Sequence, residues 1–236
     1  MSVAHTEIAP RSSASGGAGS ADDTPAIRPS WRGIIHRYAA LIAVPMFVVL
    51  VVLAGSPAHR LAAVVYGIGV TTMLAVSAVY HSSGISPTTR ARLRRVDHST
   101  ILLAIAGSYT GFAVFALDGA PERRLLVFVW IAAVIGIVIR MTWLGAPSAI
   151  VAAVYLVVGW SALLEINAFM DALNPLDLGL IVAGGLLYSA GAAVYALHRP
   201  NPWPAVFGYH EVFHLLVVTA VAVHYVAALR LVTAAG

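Results

Sequence analysis

An all-α bundle of seven membrane-crossing helices is the fold this sequence predicts, and three observations predict it. First, 60% of the 236 residues are hydrophobic and 10% are charged, whereas soluble domains carry about 25% charged residues. Second, the apolar residues gather into seven long runs, and a spanning helix needs roughly 20 apolar residues. Third, most charges fall between these runs. Hydrocarbon offers backbone groups no partner, which leaves helices or closed barrels. Continuous runs, rather than alternation, select helices.

Residues 1–30 are rich in Ser, Gly, Ala, Pro and Asp and show no apolar periodicity. They read as a disordered polar tail. They do not read as a signal peptide, because no apolar stretch follows Arg11 before the first run. Residues 31–236 then form one seven-helix membrane domain. The runs are Tyr38–Ala54, Leu61–Tyr80, Thr100–Leu117, Leu125–Met141, Ala149–Leu164, Leu178–Leu197 and Phe207–Val232. Pro45 predicts a kink in the first. Turn-forming residues separate them: Gly55-Ser56-Pro57, Gly84-Ile85-Ser86-Pro87, Gly119-Ala120-Pro121, Gly145-Ala146-Pro147, Asn174-Pro175 and Arg199-Pro200-Asn201-Pro202.

All 14 basic residues are arginines, and they set the orientation. With seven spans, Arg11, Arg28, Arg32, Arg37, Arg90, Arg92, Arg94, Arg95, Arg140 and Arg199 fall on one side. Only Arg60, Arg123, Arg124 and Arg230 fall on the other. The excess predicts a cytoplasmic N-terminus and an external C-terminus. Topology thus accounts for the net charge of +4, and no nucleic-acid partner is expected. Membrane lipids are the expected partners, and Arg90 to Arg95 also suit anionic headgroups. Oligomeric state leaves no mark in the sequence.

There is no cysteine, so disulfides and thiolate metal sites are excluded, and His, Asp or Glu must hold any metal. The spans carry few such residues. Ser77 and His81 end the second, Asp97 and His98 open the third, and His210, Glu211 and His214 open the seventh. The arginine-based orientation puts all three groups at the cytoplasmic face. His210 and His214, spaced i, i+4, are about 40° apart around a helix and can reach one point. This is a familiar zinc pair, and His81 supplies a third ligand. A three-histidine site leaves a fourth position for water, whose pKa zinc lowers to about 7. Asp97 is placed to orient that water or take its proton. Ser77, one turn before His81, is placed to fix that imidazole.

Other readings exist for each residue. Histidines near a helix start also occur at the water interface. His98 points about 100° away from Asp97 and reads as interfacial or helix-packing. Glu211 suits a helix N-terminus as an anion. His224 lies about 15 Å deeper than His214 and reads as an interhelical hydrogen bond. Ser108, Tyr109 and Thr110 read as joining helices or lining a cavity.

Three stretches carry a family resemblance. They are Ser77-Ala78-Val79-Tyr80-His81, then Arg95-Val96-Asp97-His98-Ser99 with Ala106-Gly107-Ser108-Tyr109-Thr110, and Phe207-Gly208-Tyr209-His210-Glu211-Val212-Phe213-His214 with His224 downstream. From about Arg32 onward the chain resembles the hemolysin III group, which includes the progestin and adiponectin receptors. The resemblance implies a seven-helix fold with its N-terminus inside, in a bacterial inner membrane. It also implies Zn2+ on His81, His210 and His214, Asp97 contacting the zinc-bound water, and Ser77 behind the ligands. Eukaryotic relatives resemble lipid amidases acting on ceramide-type substrates. Bacterial members are named for hemolysis and linked to membrane-lipid homeostasis. One element departs: bacterial relatives often carry Glu-x-x-Asn before the histidine that opens the first helix, where this chain has Arg32-Gly33-Ile34-Ile35 before His36.

Three functions remain open at this point. One is a zinc-dependent hydrolase of a lipid amide or ester, with Asp97 as general base. Another is a non-catalytic sensor or pore-like cytolysin whose zinc is structural, with Asp97 as fourth ligand. The third is a metalloprotease, because His210-Glu211-Val212-Phe213-His214 fits H-E-x-x-H. Ala220 stands where the metzincin continuation needs a histidine.

Overall fold

The computed structural model describes residues 29–143 and 145–234. Residues 1–28 of the expected tail lie outside the described residues. Just beyond them, Ser30 N donates to Ala205 O at 3.1 Å and Trp31 N to Val206 O at 3.2 Å.

The described chain forms α1 (Ile34–Leu53), α2 (Pro57–Tyr80), α3 (Pro87–Ala116), α4 (Gly119–Thr142), α5 (Ser148–Gly159), a 3-10 segment (Ser161–Glu165), α6 (Ile166–Ala172), α7 (Pro175–Leu197) and α8 (Tyr209–Ala234). Counting Ser148–Ala172 as one unit, seven helices among the described residues are long and apolar enough to cross a membrane. Leu41, Val52, Val127, Val157 and Leu186 point outward from them, as a lipid-facing surface requires.

Among the helices that begin earlier than their apolar runs, α2, α3 and α7 do so behind a side-chain cap. Ser56 and Ser86 cap α2 and α3 through His59 N and Thr89 N, and Asn174 caps α7 through Leu176 N and Asp177 N. A proline follows each cap at the first helical position, where its missing N–H costs nothing. Hydropathy marks where a helix enters apolar surroundings, while the cap marks where it starts. So α3 starts at Pro87 rather than Thr100. Asp97 and His98 therefore sit well inside it and do not open it.

The fifth span is broken, contrary to the single run expected over Ala149–Leu164. The backbone leaves α5 at Trp160 and passes through the 3-10 segment into α6. A break inside a span frees backbone groups that must be satisfied internally. Tyr109 on α3 does this: its hydroxyl donates to Gly159 O at 2.6 Å and accepts from Ala162 N at 2.9 Å. Trp160 Nε1 donates to Ser189 Oγ of α7 at 3.0 Å, tying the break to its neighbour.

The core lies between α1, α2, α3 and α8. Gly69 and Gly107 meet where α2 and α3 cross, and small residues let membrane helices approach closely. Phe47, Tyr66 and Tyr225 interlock beside them, with Phe47 edge-on to both rings at 4.8 and 5.7 Å. At the end of the bundle opposite the histidines, Arg230 Nε pairs with Asp177 Oδ1 at 2.5 Å. Arg124 holds Glu165 through two bonds, at 2.8 and 2.9 Å.

Tyr109→Phe should remove both contacts at the break and leave two buried backbone groups unpaired. The expected loss is about 1–3 kcal/mol, read as a lower unfolding midpoint in detergent with unchanged helical circular dichroism.

Candidate metal centre

Chain reversals put the end of α2 beside the starts of α1 and α8. His81 follows directly on α2, with its N–H donating to Ser77 O at 3.0 Å. Arg90 reaches over from α3 to cap this end, with Nη1 on Tyr80 O at 3.1 Å and Nη2 on Ser82 O at 3.2 Å. Cations suit the carbonyl end of a helix. His210 and His214 lie on one side of the first turns of α8.

The three imidazoles converge. His210 Nε2 is 3.0 Å from His81 Nε2. Ring centroids are 4.6 Å apart for His81 and His210, 5.0 Å for His81 and His214, and 4.5 Å for His210 and His214. All three are buried, and each offers a ligand atom within 4.8 Å of the others. Neutral imidazole nitrogens in such a set match the preference of zinc and its neighbours in the first transition series. On its donor chemistry, the site fits a divalent metal.

Ser77 and Asp97 are both buried. They share a cavity of about 200 Å³ with His36, His210 and His214. Beyond this polar end, the wall is largely apolar and aromatic, with Met73, Ile101, Phe112, Trp160, Tyr188 and Phe213. The residues grouped from sequence are thus gathered at one end of the bundle.

Residues with open readings receive specific places. His98 is buried and accepts at Nδ1 from Arg140 Nη2, so it packs α3 against α4 and is not interfacial. Arg140, read from sequence only as a topology signal, is 5% exposed and also reaches Trp143 O at 3.4 Å. Glu211 is fully buried. Its Oε2 accepts from Gly208 N at 2.9 Å, and its Oε1 pairs with Arg32 Nε at 2.7 Å. One oxygen accepts a hydrogen bond and the other is ion-paired with a guanidinium, which disfavours the general-base role of an H-E-x-x-H protease. His224 donates from Nε2 to Ile181 O of α7 at 3.0 Å. Thr110 Oγ1 accepts from Trp130 Nε1 of α4 at 3.1 Å, and Ser108 and Tyr109 line the cavity.

His36 is the site residue that sequence reasoning passed over. It stacks face to face on His214, with centroids 3.8 Å apart and planes 10° from parallel. The apolar run that marks the first span begins only at Tyr38, so hydropathy left His36 outside it, whereas α1 starts at Ile34 and takes His36 in.

The sequence model of the haemolysin-III related family matches residues 25–225. The chain is 29% identical to Hemolysin-3 of Bacillus cereus over 188 residues, covering 78% of this chain and 83% of the relative. It is 27% identical to the human monocyte to macrophage differentiation factor over 176 residues, covering 72% and 69% of the two chains. It is 28% identical to the adiponectin receptor protein of Drosophila melanogaster over 176 residues, covering 67% of this chain and 39% of the relative.

A side chain on Gly184 would meet the His224 ring, with a Cβ only 2.0 Å from Cδ2. Gly184→Ala should therefore push His224 off Ile181 and cost about 1–3 kcal/mol through overpacking. A fall in thermal midpoint of the detergent-solubilised protein measures it.

Proposed function

This chain belongs to the haemolysin-III related family and is an integral multi-pass membrane protein, and we propose that it is a zinc-dependent hydrolase of a lipid amide or ester. Its orientation in this reading has the N-terminus and the histidine end at the cytoplasmic face of a bacterial inner membrane. One observation carries the proposal. Three buried imidazoles cluster together, and two of them, His210 and His214, join the buried Asp97 in lining the polar end of an otherwise largely apolar cavity. Such a space suits a molecule with one hydrolysable polar link and a hydrocarbon chain.

In this reading His81, His210 and His214 hold the metal, and Ser77 steadies the end of α2 that carries His81. Zinc, when bound, supplies Lewis acidity toward a carbonyl and toward water. Asp97 accepts a proton from water as its oxygen forms the new bond to the carbonyl carbon. It then returns that proton to the departing amine or alcohol as the carbon–nitrogen or carbon–oxygen bond breaks. The apolar wall holds the hydrocarbon and limits access of bulk water.

The name Hemolysin-3, carried by the Bacillus cereus relative, favours a second reading. There the zinc is structural, the chain is a sensor, homeostasis protein or cytolysin, and Asp97 closes the site as a fourth ligand.

Elemental analysis of purified protein should give about one zinc per chain, as one closed ligand set requires. The His210→Ala, His214→Ala double variant should lose it, while His98→Ala keeps it. Full zinc retention in the double variant would sink the assignment. Asp97→Asn separates the two readings. As a hydrolase it keeps zinc and loses about 10²–10⁴-fold in turnover of a fluorescent lipid amide. As a structural site it loses zinc, and the wild type turns nothing over.

A further inference from the structure

Arg32 and Gly33, which stand where relatives often carry Glu-x-x-Asn, and the His36 that follows make three contacts with the elements bearing the histidines. Arg32 Nε is 2.7 Å from Glu211 Oε1, and Glu211 lies between His210 and His214 on the first turn of α8. Gly33 lies against His81: a Cβ there would fall 2.7 Å from His81 Cβ, and the backbone holds φ at +81°. Both facts call for glycine. His36 stacks on His214 at 3.8 Å. Just upstream, Ser30 and Trp31 are hydrogen-bonded to the loop that leads into α8.

Packing of α1 against its neighbours would explain one such contact. It does not explain why three residues within five positions each meet a different part of the histidine cluster. Nor does it explain why buried polar groups, costly to place, are used to do so. Glu211 is fully buried and His36 is 3% exposed. The broad contact His36 makes on the cluster is its ring face laid on His214, with planes 10° from parallel.

We propose that Arg32, Gly33 and His36 form a positioning strap that pre-arranges His81, His210 and His214 for metal; it rests on the zinc reading of that cluster. The three ligands come from helices that are far apart in sequence, so their relative placement needs an outside brace. The Arg32–Glu211 pair fixes the rotation of the first turn of α8 and thereby the direction of both its histidines. Gly33 allows the chain to press against the end of α2 and limits the movement of His81. The His36 stack fixes the ring plane of His214 without occupying either of its nitrogens, which a hydrogen bond would do.

The test is zinc affinity of the purified full chain, read by competition with a chromophoric chelator, with metal-free thermal unfolding as a folding control. His36→Ala should weaken zinc binding about 10–100-fold, the usual range for residues that orient ligands. His36→Phe, which restores a flat face, should return to within about threefold of wild type on that same scale. Arg32→Glu and Glu211→Arg should each weaken binding, and the double reversal should recover most of it. If the charge reversals fail to fold, the His36 pair decides. Wild-type affinity in folded His36→Ala, or His36→Phe as weak as His36→Ala, would overturn the strap while leaving the zinc reading intact. A wild type that binds no zinc would overturn the zinc reading itself.

Discussion

Hydrocarbon gives a polar group nothing to bond to, and this constraint organises the whole bundle. Each polar side chain carried into the spans must find its partner on another helix or on a nearby backbone. Tyr109 satisfies the broken fifth span, Thr110 accepts from Trp130, His224 reaches Ile181, and Arg140 binds His98. Beside these pairs, three buried imidazoles converge at one end of the bundle, with His210 Nε2 3.0 Å from His81 Nε2. Facing nitrogens in a buried cluster are an awkward arrangement for histidines alone and a natural one for histidines that share a cation.

Helix boundaries turn that constraint into a site. His81 is where it is because α2 stops at Tyr80, and Arg90 caps the carbonyls released there. The first turn of α8 is set by Glu211, which reaches back to Gly208 and across to Arg32. A pair of histidines at i, i+4 points wherever its helix is rotated. The contacts that set this rotation therefore belong to the chemistry as much as the ligands do.

Much of this was legible in the sequence, and the physical reasons are specific. Seven runs were visible because lipid demands them, and the grouping of His81, Asp97, His210 and His214 followed from counting spans. His224 was placed correctly because depth follows directly from helical rise. Three things were not visible. The start of α3 at Pro87 was hidden because an arginine-rich turn outside the apolar layer has no hydropathic signature. The break at Trp160 was hidden because its compensating group, Tyr109, lies 50 positions before the Gly159 carbonyl it satisfies. The stack of His36 on His214 and the pair of Arg32 with Glu211 join the first helix to the last, and no local pattern encodes such a meeting.

The central claim is that histidines from the end of α2 and the start of α8 hold one metal ion together. X-ray absorption at the zinc edge on the purified, zinc-loaded chain tests it most directly, since imidazole rings leave a distinctive scattering pattern around the absorbing atom. The expected spectrum shows three imidazole nitrogens at about 2.0–2.1 Å, with any remaining ligand a light oxygen. A zinc edge with one imidazole or none, or a chain that retains no zinc, would contradict the account.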